Sequence, residues 1–162
     1  MKRLIILASI LFGLFMLSAT TVQAQEAKLG AGLTYGTEIE AIGIEANGVL
    51  GFTENLRGAA DVKIFFPDSP SGVDNSFWEL NANAHYIFVS KANATVYALG
   101  GLNFANQEVS VGGVSVSSSE VGLNLGGGAE FGLGFATLYT EAKYALSDFD
   151  QLDISAGLRF GL

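Results

Sequence analysis

The sequence predicts an all-β fold, an eight-stranded antiparallel up-and-down transmembrane β-barrel after a cleaved signal peptide. Three observations carry that expectation. Beyond residue 25, large apolar side chains recur at every second position in eight runs, with no helical period. No stretch of that region reaches the roughly 18 apolar residues a membrane helix needs. Yet the composition suits lipid better than water: 49% hydrophobic, 21 glycines and only 15% charged, against about 25% charged in soluble domains.

The first 24 of the 162 residues stand apart from the fold. Lys2 and Arg3 precede a short apolar run, Leu4 to Leu17, and Val22-Gln23-Ala24 supplies small residues for cleavage. That is the pattern of a secretory signal peptide; a retained anchor is the alternative. Residues 25–162 then form one domain. They keep all 16 acids but only six of the eight bases, a formal charge of −10, which excludes a nucleic-acid partner. The absence of cysteine rules out disulfides and thiolate metal sites.

The strands follow in order. Leu29, Ala31, Leu33 and Tyr35 form the first apolar face, and Ile42, Ile44, Ala46, Gly48, Leu50 and Phe52 the second. The third carries Leu56, Gly58, Ala60, Val62, Ile64 and Phe66; the fourth carries Trp78, Leu80, Ala82, Ala84, Tyr86 and Phe88. In the fifth, which alternates less clearly, Val96, Ala98, Leu102 and Phe104 fall on the apolar side. Val121, Leu123, Leu125, Ala129 and Phe131 mark the sixth, and Leu138, Thr140, Ala142 and Tyr144 the seventh. Leu152, Ile154, Ala156, Leu158, Phe160 and Leu162 mark the eighth. Connections near 53–55, 89–93 and 132–135 are short. Those on the opposite side, 37–40, 67–76, 105–119 and 147–151, include the two long ones, as in barrels with short periplasmic turns and longer outer loops. Within 105–119, Glu108 to Val116 alternates about Gly112-Gly113 and reads as a hairpin extending strands five and six beyond the membrane.

Alternation alone leaves open which face points outward, because a soluble lipocalin-like barrel alternates too. The polar face decides for the membrane. It holds about ten charges, with glycine, asparagine, serine and alanine between them, whereas a soluble exterior wants about 25–35% charged residues. Those charges, Glu45, Arg57, Asp61, Lys63, Glu79, Glu130, Glu141, Lys143, Asp153 and Arg159, are expected to form a network in the lumen. If Phe52 faces Leu56, Glu45 lies opposite Lys63. If Leu146 faces Leu152, Lys143 is diagonal to Asp153 and Glu141 to Arg159. Aromatic residues of the apolar face gather at strand ends, as two membrane interfaces require. With strand one running outward, Tyr35, Phe66, Trp78, Phe104 and Tyr144 form an outer girdle; Phe52, Tyr86, Phe88, Phe131 and Phe160 form an inner one.

The stretches Tyr97-Ala-Leu-Gly-Gly-Leu102, Leu123-Asn-Leu-Gly-Gly-Gly-Ala-Glu-Phe131 and Gly157-Leu-Arg-Phe-Gly-Leu162 resemble the small eight-stranded outer-membrane β-barrel family, similar in plan to OmpX and the OmpA transmembrane domain. The resemblance covers nearly all of 25–162 and implies integral residence in the outer membrane of a Gram-negative bacterium, amid outer-membrane lipid and lipopolysaccharide. It also implies a last-strand signal for the barrel-assembly machinery, matched by Ser155, Gly157, Phe160 and Leu162; the final Leu stands where the family most often has Phe.

Nothing in the sequence points to catalysis. The single histidine, His85, has lumen parity near the short-turn end of strand four, away from outer-leaflet lipid, and is expected to bond a carboxylate or Asn83. Gly126 to Gly128 lie in a strand and lack a phosphate-loop context; they are expected to let bulky lumen side chains pass. Asp148, Asp150 and Asp153 at the last outer loop could hold Ca²⁺ or Mg²⁺ but lack a calcium-loop spacing, so no metal site or cofactor is expected. The expected role is a non-enzymatic barrel that displays the loops 67–76 and 105–119 to a surface protein partner, by strand addition or loop contact. A narrow gated ion or small-solute channel and a soluble lipocalin-like binder of apolar ligands are the alternatives.

Overall fold

The computed structural model describes residues 26–68 and 73–162. The leader expected over 1–24 and the central part of the 67–76 connection lie outside them. Eight strands follow in chain order: β1 (Ala27–Gly36), β2 (Ala41–Gly51), β3 (Leu56–Phe65), β4 (Val73–Lys91), β5 (Ala94–Val111), β6 (Val114–Gly132), β7 (Thr137–Leu146) and β8 (Gln151–Gly161). Each pairs antiparallel with the next, and β1 pairs with β8, so the sheet closes into a barrel. Leu29 faces Phe160 across this seam and Gly36 faces Asp153. The seam runs on at both ends, where Leu162 N donates to Ala27 O and Thr37 N donates to Leu152 O, both at 3.0 Å.

The two faces have opposite chemistry. Leu33 and Ile42 point outward, each 62% exposed, while Lys63 and Lys143 point inward at 0% and 1%. A soluble lipocalin-like barrel requires the reverse, so that alternative falls away. Tyr97 and Leu99 of β5 also face inward, which is why its alternation reads weakly; Ala98 and Leu102 face outward.

Short turns set the registers. At the β2–β3 turn, Phe52 N donates to Leu56 O at 2.9 Å, and Thr53 Oγ1 accepts from Leu56 N at 3.0 Å. That turn places Glu45 directly opposite Lys63. At β7–β8 the register differs from the expected one. Tyr144, not Leu146, faces Leu152, so Lys143 is directly opposite Asp153 and Glu141 is opposite Ser155. The shift of two residues arises in the loop. Ser147 N donates to Asp150 Oδ1 (2.9 Å), Phe149 N donates to Ser147 Oγ (3.0 Å), and Phe149 packs against Phe77 in the barrel mouth.

The segment 105–119 is a ribbon rather than a loop. β5 continues to Val111 and β6 resumes at Val114, with only Gly112 (φ +59°) and Gly113 (φ +86°) between them. Both angles lie in the left-handed region that glycine enters freely. β4 runs beside β5 as far as Val73, so three strands project beyond the rest of the barrel.

Eight strands leave a bore with room only for side chains, and glycines make that room. Tyr139 lies against Gly32 and Gly157, and Tyr97 lies across Gly128. A Cβ on Gly128 would strike the Tyr97 hydroxyl and come 2.7 Å from Thr140 O. Gly128→Val is therefore expected to abolish the folded, faster-migrating band on unboiled gels. Gly100→Ala, where the nearest atoms would be 3.7 Å away, is expected to leave that band intact.

Candidate functional site

Two regions carry chemistry: the lumen and the outer surface. All ten lumen charges named from the sequence are buried. Near the short-turn end, Arg57 grips Glu130 with two bonds, Nη1 to Oε2 at 3.0 Å and Nη2 to Oε1 at 2.6 Å. Arg159 reaches the same carboxylate, Nη1 to Oε1 at 2.5 Å, and its Nε donates to Asn47 Oδ1 at 2.8 Å. Each guanidinium also covers a tyrosine ring, Arg57 over Tyr97 at 4.5 Å and Arg159 over Tyr139 at 4.1 Å. Tyr97 donates to Glu141 Oε2 at 2.8 Å, and Tyr139 donates to Glu45 Oε1 at 3.0 Å.

The middle of the lumen pairs lysines with aspartates. Lys63 Nζ sits 2.8 Å from Asp153 Oδ2 and 3.8 Å from Glu45 Oε2. Lys143 Nζ contacts both oxygens of Asp61, at 3.1 and 3.2 Å, rather than the Asp153 that faces it across the sheet. Asn81 donates to Asp61 (2.8 Å) and accepts from Asn103 (2.9 Å) and Asn124 (2.8 Å). Glu79 accepts from Asn81 at 3.3 Å. Toward the outer mouth the lining turns apolar: Phe65 and Phe77 meet edge to face at 5.6 Å, over Ala41 and Ala105, with Ile39 and Phe149 above.

His85 belongs to the lower lumen cluster. Its Nδ1 accepts from Arg57 Nε at 3.1 Å and its ring stacks on Tyr97 at 4.4 Å, so its partners are not the expected carboxylate or Asn83. Glu141 Oε2 lies 4.0 Å from its Nε2. Asp148, Asp150 and Asp153 do not converge: Asp153 is tied to Lys63 inside, while Asp148 and Asp150 are exposed on the loop. Among the described residues no group of three His, Cys, Asp or Glu could hold a metal ion.

The girdle residues lie on the outward face. Trp78 and Phe104 cover each other at 5.5 Å and are half-buried; Tyr35, Phe52, Phe66, Tyr86, Phe88, Phe131, Tyr144 and Phe160 are exposed. Phe88 sits at a bulge in the β4–β5 ladder, between Ile87 and Val89. Of the last-strand residues, Ser155 bonds Thr34 in the lumen (3.0 Å), Gly157 lies beneath Tyr139, and Phe160 and Leu162 face outward. Sequence reasoning missed Tyr97, Tyr139 and Asn103 and gave no partners to the polar-face asparagines at 47, 81 and 124; all are buried in the lumen. Strand parity places each of them there: Tyr139 alternates in step with Glu141 and Lys143.

The outer surface carries eight carboxylates: Glu38, Glu40, Asp68, Asp74, Glu108, Glu120, Asp148 and Asp150. Among the described residues it carries no lysine or arginine. The bases of the described chain are the four in the lumen and, at the short-turn rim, Lys28 and Lys91. The projecting strands also invert their polarity. Below Trp78, Phe104 and Val121 the outward face is apolar; above them it reads Ser76, Asn106, Glu108, Ser117 and Ser119. The apolar side chains switch to the inner face as Val109, Val111, Val114 and Val116. Finally, β6 meets β7 only from Leu123 onward, so among the described residues Val114–Val121 has a strand neighbour on one side only.

A family model described as outer membrane protein beta-barrel domain matches residues 8–161. The chain belongs to this family. It is an integral outer-membrane protein. No curated protein matches it by sequence. Among solved structures, Neisserial surface protein A aligns with a TM-score of 0.67 at 16% identity, covering 85% of this chain and 97% of that one. The N-terminal barrel of Pseudomonas aeruginosa OprF gives 0.66 at 15%, and Ail of Yersinia pestis 0.65 at 15%, each with the same coverages. Ail is also known in complex with the heparin analogue sucrose octasulfate, a structure that aligns at 0.59 and 17% identity over 85% of this chain and 96% of that one. At these identities the likeness is one of fold.

The network gives a direct expectation for stability. Removing one partner of a buried ion pair costs about 3–5 kcal/mol. Glu130→Ala strands two guanidiniums and is expected to lower the unfolding free energy by about that much in urea titrations of the lipid-reconstituted barrel. Asp148→Ala, on the outer loop, is expected to leave the midpoint unchanged.

Proposed function

We propose that this is a non-enzymatic envelope barrel whose task is to hold a rigid three-stranded ribbon above the outer membrane for contact with a surface partner. The observation that carries this reading is the ribbon itself. β4, β5 and β6 stay hydrogen-bonded far past the aromatic belt, and among the described residues β6 has one edge unpaired over Val114–Val121. A free edge of this kind offers main-chain donors and acceptors for strand addition. Lipid and lipopolysaccharide surround the belt, and the last-strand residues Ser155, Gly157, Phe160 and Leu162 serve the barrel-assembly machinery.

A second reading, a narrow gated channel, draws on one specific feature. Lys63 has a bonded carboxylate in Asp153 and a second within 3.8 Å in Glu45, and Arg159 stands between Glu130 and Glu141. Partner exchange at these sites would open a path through an otherwise filled bore. Planar-bilayer recordings discriminate: display alone predicts no single-channel steps, whereas a channel predicts steps that change with Lys63→Ala or Glu45→Ala.

Deleting residues 108–117 is expected to leave a heat-modifiable, membrane-inserted barrel; failure to insert would make the ribbon structural rather than a display element. Phe160→Ala with Leu162→Ala is expected to cut the assembled fraction in cell envelopes far more than that deletion does.

A further inference from the structure

The outer surface says what kind of partner suits the ribbon. We propose that the β6 edge at Val114–Val121 takes up an extended, basic polypeptide segment, one that carries lysine or arginine at alternate positions. This rests on the display reading above and adds the chemistry of the partner.

The edge itself is open. Val114–Val121 contains no proline and no lysine, the residues that usually blunt an exposed strand. The β3–β4 ladder runs as far as Phe65 and Phe77, so β4 extends beyond it only over Val73–Ser76. The longer edge is therefore the better platform for a ladder.

Charge then selects the occupant. Glu120 lies on the edge strand, and the loop bearing Asp148 and Asp150 adjoins its base: a Cβ on Gly122 would stand 2.8 Å from Ser147 Cβ. With eight carboxylates and no base above the belt among the described residues, an incoming acidic strand meets repulsion there, and so does a polyanion. A second copy of this chain is disfavoured on the same ground, since edge-to-edge pairing would bring two acidic surfaces together. A basic strand is the one that both completes the backbone ladder and neutralises its surroundings. Alternate spacing of its charges follows from the two-residue period of the strand it joins.

The test uses the full chain in phosphatidylcholine nanodiscs, with empty discs as baseline. Fluorescent peptides of alternating lysine and valine, or of alternating glutamate and valine, are titrated by anisotropy. The lysine peptide is expected to bind, and its affinity to fall at least about tenfold when NaCl rises from about 50 to about 300 mM. A similar loss is expected with Glu120→Gln, Asp148→Asn and Asp150→Asn combined, and complete loss with residues 108–117 deleted. Equal binding of the two peptides would overturn the basic assignment and leave the edge reading standing. No binding of either would overturn both. Lysine-peptide binding that survives the deletion undiminished would place the contact on the acidic loops and overturn the edge.

Discussion

Everything in this molecule follows from the requirement that no backbone amide be left without a partner in lipid. Hydrocarbon offers no hydrogen bond, and each unsatisfied group there costs several kcal/mol. A sheet can meet that condition only by closing, so the β1–β8 seam, from Lys28 opposite Gly161 to Gly36 opposite Asp153, is what permits the other seven strand pairings. Closure with eight strands then dictates a narrow bore. The narrow bore dictates which side chains may face inward, and the glycines beneath Tyr97 and Tyr139 are its direct consequence.

The filled lumen replaces an apolar core with a polar one. Six carboxylates face four bases there. The arginines bind bidentately or stack on rings, which fixes their orientation as well as their charge. The lysines act as point charges and reach across the bore to the opposite wall, Lys63 of β3 to Asp153 of β8 and Lys143 of β7 to Asp61 of β3. These links tie strands that are not neighbours in the sheet, so the network braces the barrel across its diameter in the way a hydrophobic core braces a soluble domain.

What the sequence made legible was mostly what the period of two can encode. Parity told lumen from lipid for every strand but the fifth, where the inward Tyr97 and Leu99 blur the alternation, and the tight turn at Phe52 and Leu56 was enough to set Glu45 against Lys63. The β7–β8 register was not legible, because it depends on Phe149 folding inward onto Phe77, a tertiary contact that no local pattern announces. Cross-bore partners were hidden for a related reason. Lys143 faces Asp153 along the ladder yet bonds Asp61, since in a closed barrel the nearest carboxylate need not lie on an adjacent strand. Tyr97 and Tyr139 escaped notice because tyrosine suggests a membrane interface; the glycines at 32, 128 and 157 that receive them were the available clue.

The ribbon shows how one backbone can serve two solvents. Parity never changes along β5 and β6, yet the apolar side chains move from the outer face to the inner one as the strands rise past Trp78 and Phe104. If the ribbon lay in lipid, Glu108 and the serines at 115, 117 and 119 would face hydrocarbon. Their position instead marks where hydrocarbon ends. An acid costs little beyond that line, whereas a base at the outer belt would sit well against lipid phosphates; this chain has the first and lacks the second. The acidic bias above the belt is therefore not something membrane residence requires. It is a property of the projecting ribbon and its flanking loops, and the contact with a basic strand proposed above would account for it.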